Sequence, residues 1–232
     1  MCGRFTLRAS PEAVADEFGL DEVPELSARH NIAPGREIAT IRAGGAGAAR
    51  ICAMHSWGLV PGWAKDPAIG QRMINARAET VAEKPAFRSA FRRRRCLIPA
   101  DGFYEWASGP APKQPYHIAR EDGALFGFAG LWELWQARDG REITSCTIVT
   151  TRANATLQRV HDRMPVILDP ADYAAWLDPE HGDPQRLLAL LAPCPEEWLR
   201  LQTVGLRVND PRNDDAECAA PAPPQPSQAT LL

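Results

Sequence analysis

Among the 232 residues of this chain, the cysteine at position 2, directly behind the initiator methionine, has the most distinctive chemical potential. Aminopeptidases generally remove methionine before a small second residue. Removal would leave the α-amine and the thiol of Cys2 on adjacent carbons. Ordinary pKa values of about 8 for the amine and about 8.5 for the thiol leave both partly reactive near neutral pH. Such a 1,2-aminothiol condenses with an aldehyde: the amine forms an imine, and the thiol closes on it to give a five-membered thiazolidine. Closure is intramolecular and therefore favoured over attack by a separate thiol. The alternative is a retained Met1 and a Cys2 with no special role.

Other segments hold groups suited to proton transfer and phosphate binding. Asn75-Ala-Arg77-Ala-Glu79 sets an amide, a guanidinium and a carboxylate on alternate positions; if extended, Asn75 and Arg77 share one face. The plain alternative is a solvated strand or helix start. In Pro99-Ala-Asp-Gly-Phe-Tyr-Glu105-Trp106 an acid lies among aromatics just after a turn. Partial desolvation there raises a carboxyl pKa toward the range of a general acid/base, unless Glu105 is a surface acid on a hairpin. His161-Asp162-Arg163-Met164-Pro165 pairs an imidazole that shuttles protons near pH 7 with a guanidinium that grips phosphate, although a lone His is more often structural. The aromatics of the 57–63 loop, Trp63 among them, either stack on bases or cover the core. The four arginines at 92–95 are the weakest functional signal, because at helical spacing they cannot all face one groove and suit a solvated helix end as well.

The elements that must position these groups are mostly short strands. Ser10-Pro11, Val14, Phe18 and Gly19 predict a short helix with a serine cap, proline in the first turn and a glycine stop. Residues 36–42 and 50–57 form a hairpin pattern around the Gly-rich turn 44–47, and 57–63 is punctuated by Pro and Gly as a loop or edge. Residues 78–94 have helical spacing broken at Pro85. From Cys96 onward, strands are expected at 96–99, 103–106, 116–119, 125–135, 144–150 and 165–168, with helices at 153–160, 169–176 and 184–191 and a last strand at 203–208. The stretch 216–232 is rich in Ala, Pro and Gln and is expected to be disordered. The expectation is one strand-rich, mixed α+β domain over residues 1–215 with a loose tail at 216–232.

Composition sets the surroundings. Hydrophobic residues make up 45 % and charged residues 24 %, as in ordinary soluble domains. No apolar run approaches the roughly 20 residues of a membrane span, and the start MCGRFTLR has no signal-peptide core, so a cytoplasmic protein, nucleoid-associated when on DNA, is expected. The six cysteines lie far apart without C-x-x-C pairs or zinc-ligand spacing, so neither a disulfide framework nor a metal is expected. The net charge of −3 is unevenly spread: residues 1–100 carry 15 basic and 10 acidic side chains, residues 101–232 carry 11 and 19. A basic face on an acidic protein is therefore permitted. Of 26 basic residues 23 are Arg, the type suited to bidentate phosphate contacts.

Six ordered stretches together resemble the SOS response-associated peptidase (SRAP) family: Met1-Cys-Gly-Arg-Phe5, Asn31-Ile-Ala-Pro-Gly35, Trp57-Gly-Leu-Val-Pro61, Asn75-Ala-Arg77-Ala-Glu79, Leu97-Ile-Pro-Ala-Asp-Gly-Phe-Tyr-Glu-Trp106 and His161-Asp-Arg-Met-Pro165. The resemblance implies a single α+β domain with a narrow basic cleft that takes single-stranded DNA carrying an abasic site. It implies that Cys2 forms the thiazolidine with the open-ring sugar aldehyde and that Asn75 holds the sugar and imine. Glu105 and His161 are implied as acid/base partners, with His161 also implicated in reversal. Arg77 and Arg163, and less firmly Arg4, are implied as phosphate ligands, with Trp63 as a DNA contact. A lyase side reaction, cysteine-based self-processing of the N-terminus, a monomeric state and the absence of any cofactor complete the expectation. His30 stands where relatives often carry Tyr or Phe, and Trp63 stands alone where some pair two aromatics; both bear on base stacking. Two other classes compete. N-terminal cysteine glutaminases also begin Met-Cys-Gly but usually continue with a small apolar residue rather than Arg4, and a non-catalytic single-strand-binding module would leave Cys2 inert.

Overall fold

Ser10 and Gly19 bracket the first helix as their chemistry requires. The Ser10 hydroxyl accepts from the Ala13 amide at 3.3 Å, and Gly19 closes the helix at φ 61°, a left-handed conformation that costs glycine nothing. The computed structural model describes residues 2–45, 49–107, 109, 112–181 and 183–222. In chain order the elements are β1 (Phe5–Leu7), α1 (Pro11–Phe18), β2 (Arg29–Ile32), β3 (Glu37–Arg42), β4 (Ile51–Trp57), β5 (Asn75–Arg77), α2 (Arg88–Arg93), β6 (Arg95–Ala100) and β7 (Gly102–Trp106). There follow β8 (Pro115–Arg120), β9 (Phe126–Gln136), β10 (Glu142–Arg152), α3 (Ala155–Gln158), β11 (Arg163–Pro165), β12 (Ile167–Leu168), α4 (Tyr173–Leu177), α5 (Pro184–Ala189) and β13 (Leu199–Thr203).

The strands form two sheets. The larger runs β11-β10-β4-β3-β6-β9-β12, with β5 alongside β10, and the pairing of β9 with β10 closes five of its strands into a barrel. The smaller runs β13-β8-β7-β1-β2. Aromatic rings join the two: Phe5 of β1 packs edge-on against Trp57 at 5.3 Å and Phe128 at 5.9 Å, and Phe103 of β7 meets Phe128 at 6.0 Å. Phe5 is 1 % exposed, so the strand that follows Cys2 is pinned into the core three residues later. The strand-rich α+β architecture is the one expected. No helix among the described residues is long and apolar enough to cross a membrane.

Several expected elements differ. Helical spacing over 78–94 yields a helix only at Arg88–Arg93; before it the chain runs in turns, with Thr80, Lys84 and Arg88 amides donating to Arg77, Thr80 and Lys84 carbonyls. Pro85 has no amide to continue a helix and biases Lys84 away from helical geometry. The last strand is Leu199–Thr203 rather than 203–208; after Gly205 the chain tightens into a 3-10 turn at Leu206–Asn209. β1 and β2, three and four residues long, are too short to show a period and were not expected.

The first residues of the expected tail are structured. Ala216–Ala219 is a 3-10 turn, and Cys218 is buried among Tyr104, Val204 and Val208. Asn31 anchors this C-terminal stretch from the inside: its amide donates to the carbonyls of Val208, Asp210 and Asn213 at 3.2, 3.1 and 2.8 Å. Residues 223–232 of the expected tail, and 46–47 of the expected Gly-rich turn, lie outside the described residues.

Candidate functional site

Cys2 is fully buried at 0 % exposure, and three elements meet around it. β1 and β7 pair with Phe5 opposite Phe103, and the Tyr104 amide donates to the Arg4 carbonyl at 2.9 Å. That register carries Glu105 alongside the chain entering β1. β5 lies parallel to β10 with Asn75 opposite Ile148, and the Asn75 amide nitrogen donates to the Cys2 carbonyl at 2.9 Å. The third contribution, His161, lies between α3 and β11.

The electrostatics tie these groups together. Burial raises the Cys2 thiol far above its ordinary range, and the Glu105 carboxylate adds to the rise, so the thiol is held protonated. Burial likewise raises the Glu105 carboxyl, which is 3 % exposed, while positive charge on His161 is among the influences acting against the rise. The Arg163 backbone amide donates to His161 Nδ1 at 2.9 Å. That obligatory donor assigns Nδ1 as acceptor in the neutral ring, leaving the ring proton on Nε2. Asp162 Oδ1 stands 3.0 Å from the same Nδ1 and balances the imidazolium when the ring is charged. Asn75 Oδ1 is buried with no partner among the described residues, an acceptor ready for a donor from outside.

The expected DNA contacts have unequal fates. Arg77, two residues beyond Asn75 on the same face of β5, is exposed and makes no ion pair among the described residues. Arg163 is clamped bidentately by Glu79 at 2.5 and 3.0 Å and donates to the Thr150 carbonyl at 2.7 Å. Arg4 is committed to the fold: one guanidinium nitrogen donates to Asn31 Oδ1 and to the Val208 carbonyl, both at 2.8 Å. Trp63 is 61 % exposed, but its indole donates to the Pro85 carbonyl at 3.3 Å beside a hollow of about 750 Å³ shared with Lys65, Trp135 and Arg138. That hollow is lined by none of Cys2, Asn75, Glu105 or His161.

The structure thus groups Cys2, Asn75, Glu105 and His161 and keeps Arg77 and Arg163 beside them, while Trp63 lines a hollow to which none of those four contributes. Thr150 and Asp162 enter the site without having been singled out in the sequence. Asp162 is adjacent to His161 and legible by position, whereas Thr150 comes in only through strand pairing. Chemically the cluster joins a protonated thiol, a buried carboxyl, an imidazole and an unfilled amide acceptor.

Comparison with known proteins places this geometry in context. The family model described as SOS response associated peptidase (SRAP) matches residues 1–211. The abasic site processing protein YoqW of Bacillus subtilis (strain 168) is 42 % identical over 221 residues, covering 94 % of this chain and 98 % of that protein. The abasic site processing protein HMCES of Xenopus tropicalis is 34 % identical over 194 residues, covering 74 % of this chain and 57 % of the relative. A crystal structure of a protein from Bacteroides thetaiotaomicron superimposes with a TM-score of 0.85 at 26 % identity, covering 95 % of this chain and all of that one.

Proposed function

The chain belongs to the SOS response associated peptidase family, and from that premise we propose that it captures abasic sites in single-stranded DNA as a covalent adduct of Cys2. The names of the relatives supply the abasic site. The observation that carries the chemistry is Cys2, wholly buried, held at its carbonyl by Asn75 and electrostatically coupled to Glu105.

Loss of Met1 frees the Cys2 amine, which adds to the C1′ aldehyde of the open sugar. Glu105, with His161 as its acid/base partner, passes the two amine protons in turn to the former aldehyde oxygen, so that water leaves, a neutral imine forms and the carboxylate is regenerated. Burial raises the Glu105 carboxyl above its ordinary range and so makes it a readier proton acceptor, as this relay needs. The thiol then adds to the imine carbon while its proton passes through Glu105 to the imine nitrogen. The net change is loss of one water. Burial and Glu105 disfavour the thiolate, so in this reading the amine acts first and the thiol second. Asn75 Oδ1 accepts from the sugar or the nitrogen during these steps. The imine also permits β-elimination of the 3′ phosphate, so weak lyase activity accompanies capture. Selectivity for single strands belongs to the same reading: once Met1 has gone, a base-free sugar must reach a cysteine set in the core cluster, which a stacked duplex does not offer.

The test is the intact mass of the protein after incubation with an oligonucleotide carrying one abasic site. The expected product has the mass of Met-less protein plus single-stranded DNA minus one water, and is absent for Cys2→Ala and for duplex. An intact Met1 with no adduct, or an equal adduct in Cys2→Ala, overturns the proposal.

A further inference from the structure

The run of four arginines at 92–95 is not used by the capture chemistry, and the fold divides it sharply. Arg95 turns inward at 2 % exposure and donates to the carbonyls of Trp176, Phe91, Arg92, Asp178 and His181. Arg94 pairs with Glu133 at 2.7 Å and reaches Ser89 at 3.0 Å. Arg92 and Arg93 point to solvent, with exposed Arg88 one turn earlier on the same short helix.

These three make no ion pair among the described residues. Elsewhere on the surface eight arginines, Arg8 and Arg163 among them, have a carboxylate within 4.0 Å, and the other exposed arginines without one, such as Arg36, Arg138 and Arg200, stand singly on different elements or loops. Like charges one turn apart repel, so a protein of net charge −3 that leaves three guanidiniums unneutralised on one helix keeps an anion-binding surface there. The surface is concave. A hollow of about 670 Å³ is lined by Arg88, Ser89, Arg92, Arg93 and Arg94, and a second of about 510 Å³ by Arg92, Arg93, Pro179, Glu180 and Pro184. Glu180 is the single carboxylate in that lining.

We propose that Arg88, Arg92 and Arg93 form a second contact for the phosphodiester backbone flanking the lesion. The inference rests on the capture reading for the identity of the anion. The path supports it: from Arg77, beside the site, to Arg88 the chain runs in hydrogen-bonded turns, advancing at most about 2 Å per residue. The two Cα atoms are therefore within about 22 Å, a span of a few nucleotides along a single strand. A strand gripped at Arg77 reaches α2 after a few nucleotides, where planar guanidiniums suit its phosphates.

The experiment measures salt-dependent binding of wild type and the triple variant Arg88→Gln/Arg92→Gln/Arg93→Gln, whose side chains are exposed. Oligonucleotides carry the abasic site with a flank of two nucleotides, or of fifteen on the 5′ or the 3′ side, single-stranded or with the long flank duplexed. The expected result is a log–log salt slope lowered by about 2 on one long single-stranded flank, or by about 3 if the duplexed flank is the true occupant, and unchanged on the short substrate. Equal slopes for both proteins on every long substrate overturn the proposal, as does an equal loss on short and long substrates. Adduct yield on the short substrate tests the capture reading separately, since no flank reaches α2 there. A phosphorylated peptide that competes as well as the DNA flank also overturns the assignment.

Discussion

Acidification from pH 7 to pH 5 should cost this protein about 4 kcal/mol of stability through two buried histidines. His117, 6 % exposed, lies beneath the β1–β7 pair with Nε2 3.2 Å from the Thr6 hydroxyl. A Cβ on Gly102 would stand 2.2 Å from that nitrogen, so the ring has no room to swing out. His55, 2 % exposed, hydrogen-bonds Thr40 and lies 5.7 Å from the Trp132 ring. Burial drives both imidazoles down from 6.5 to about 4; Arg42 adds to the effect on His55, and Arg8 and Arg200 outweigh nothing but add to it on His117, where Asp101 opposes. With the folded pKa below the unfolded one, the neutral ring is the folded form. Stability is complete above about 6.5, falls as the unfolded chain takes up protons, and levels off below about 4. At pH 5 each ring lies about 1.5 units below its unfolded pKa, worth about 2 kcal/mol at about 1.4 kcal/mol per unit. Two rings together remove a large part of the 5–15 kcal/mol typical of a folded domain. Glu105, raised by burial, works in the opposite direction, because protonation relieves its desolvation as the pH falls. Urea unfolding at pH 7, 6 and 5 reads the loss, and His55→Gln and His117→Gln should each cut its pH dependence by about half while lowering stability at pH 7. A wild-type loss below about 1 kcal/mol, or ring resonances titrating near 6.5 in the folded protein, would falsify the reasoning. Because Thr6 and His117 support the strand behind Cys2, the acid limb of any capture profile will include this loosening.

Three further outcomes follow from individual contacts. Asn75→Ala removes the donor to the Cys2 carbonyl and the unfilled acceptor, and should slow single-turnover adduct formation at least about tenfold while costing about 1–3 kcal/mol in unfolding; an unchanged rate would reduce Asn75 to a structural role. Arg95→Lys should destabilise the protein by about 3 kcal/mol or more in urea, since one ammonium cannot serve five carbonyls from the ends of α2 and α4; a loss under about 1 kcal/mol would mean those carbonyls find other partners. Gly70→Ala puts a Cβ 2.5 Å from the Gly58 carbonyl oxygen, backbone against backbone, and should cost about 1–3 kcal/mol and speed limited proteolysis in the 57–73 segment; unaltered cleavage there would show that the segment is held elsewhere.

Much of the site was legible because its chemistry is local. Cys2 stands out by position, and Glu105 and His161 by the residues beside them. Alternation in Asn75-Ala-Arg77 also predicted the exposure seen, with Ala76 buried and Arg77 outside. Strands from Cys96 onward showed because β-branched and apolar runs there are separated by turn residues. What failed did so for reasons beyond local spacing. Pro85 left most of 78–94 in turns, and the 216–222 stretch is ordered because Asn31, nearly two hundred residues away, supplies donors to the preceding carbonyls.

Residue type and spacing determined on their own the strand-rich class, the first helix with both its caps and the reactive candidates. Only tertiary structure decided what equivalent side chains became. Arg4, Arg77 and Arg163 share one side-chain chemistry, but Arg4 ties β1 to the C-terminal stretch, Arg163 is held by Glu79 and Arg77 is exposed. The arginines at 92–95 are chemically identical, but Arg95 satisfies carbonyls inside, Arg94 meets a carboxylate, and Arg92 and Arg93 stay in solvent. A guanidinium's role is set by the acceptors that distant segments bring within about 3 Å, and those distances exist only once the chain has folded.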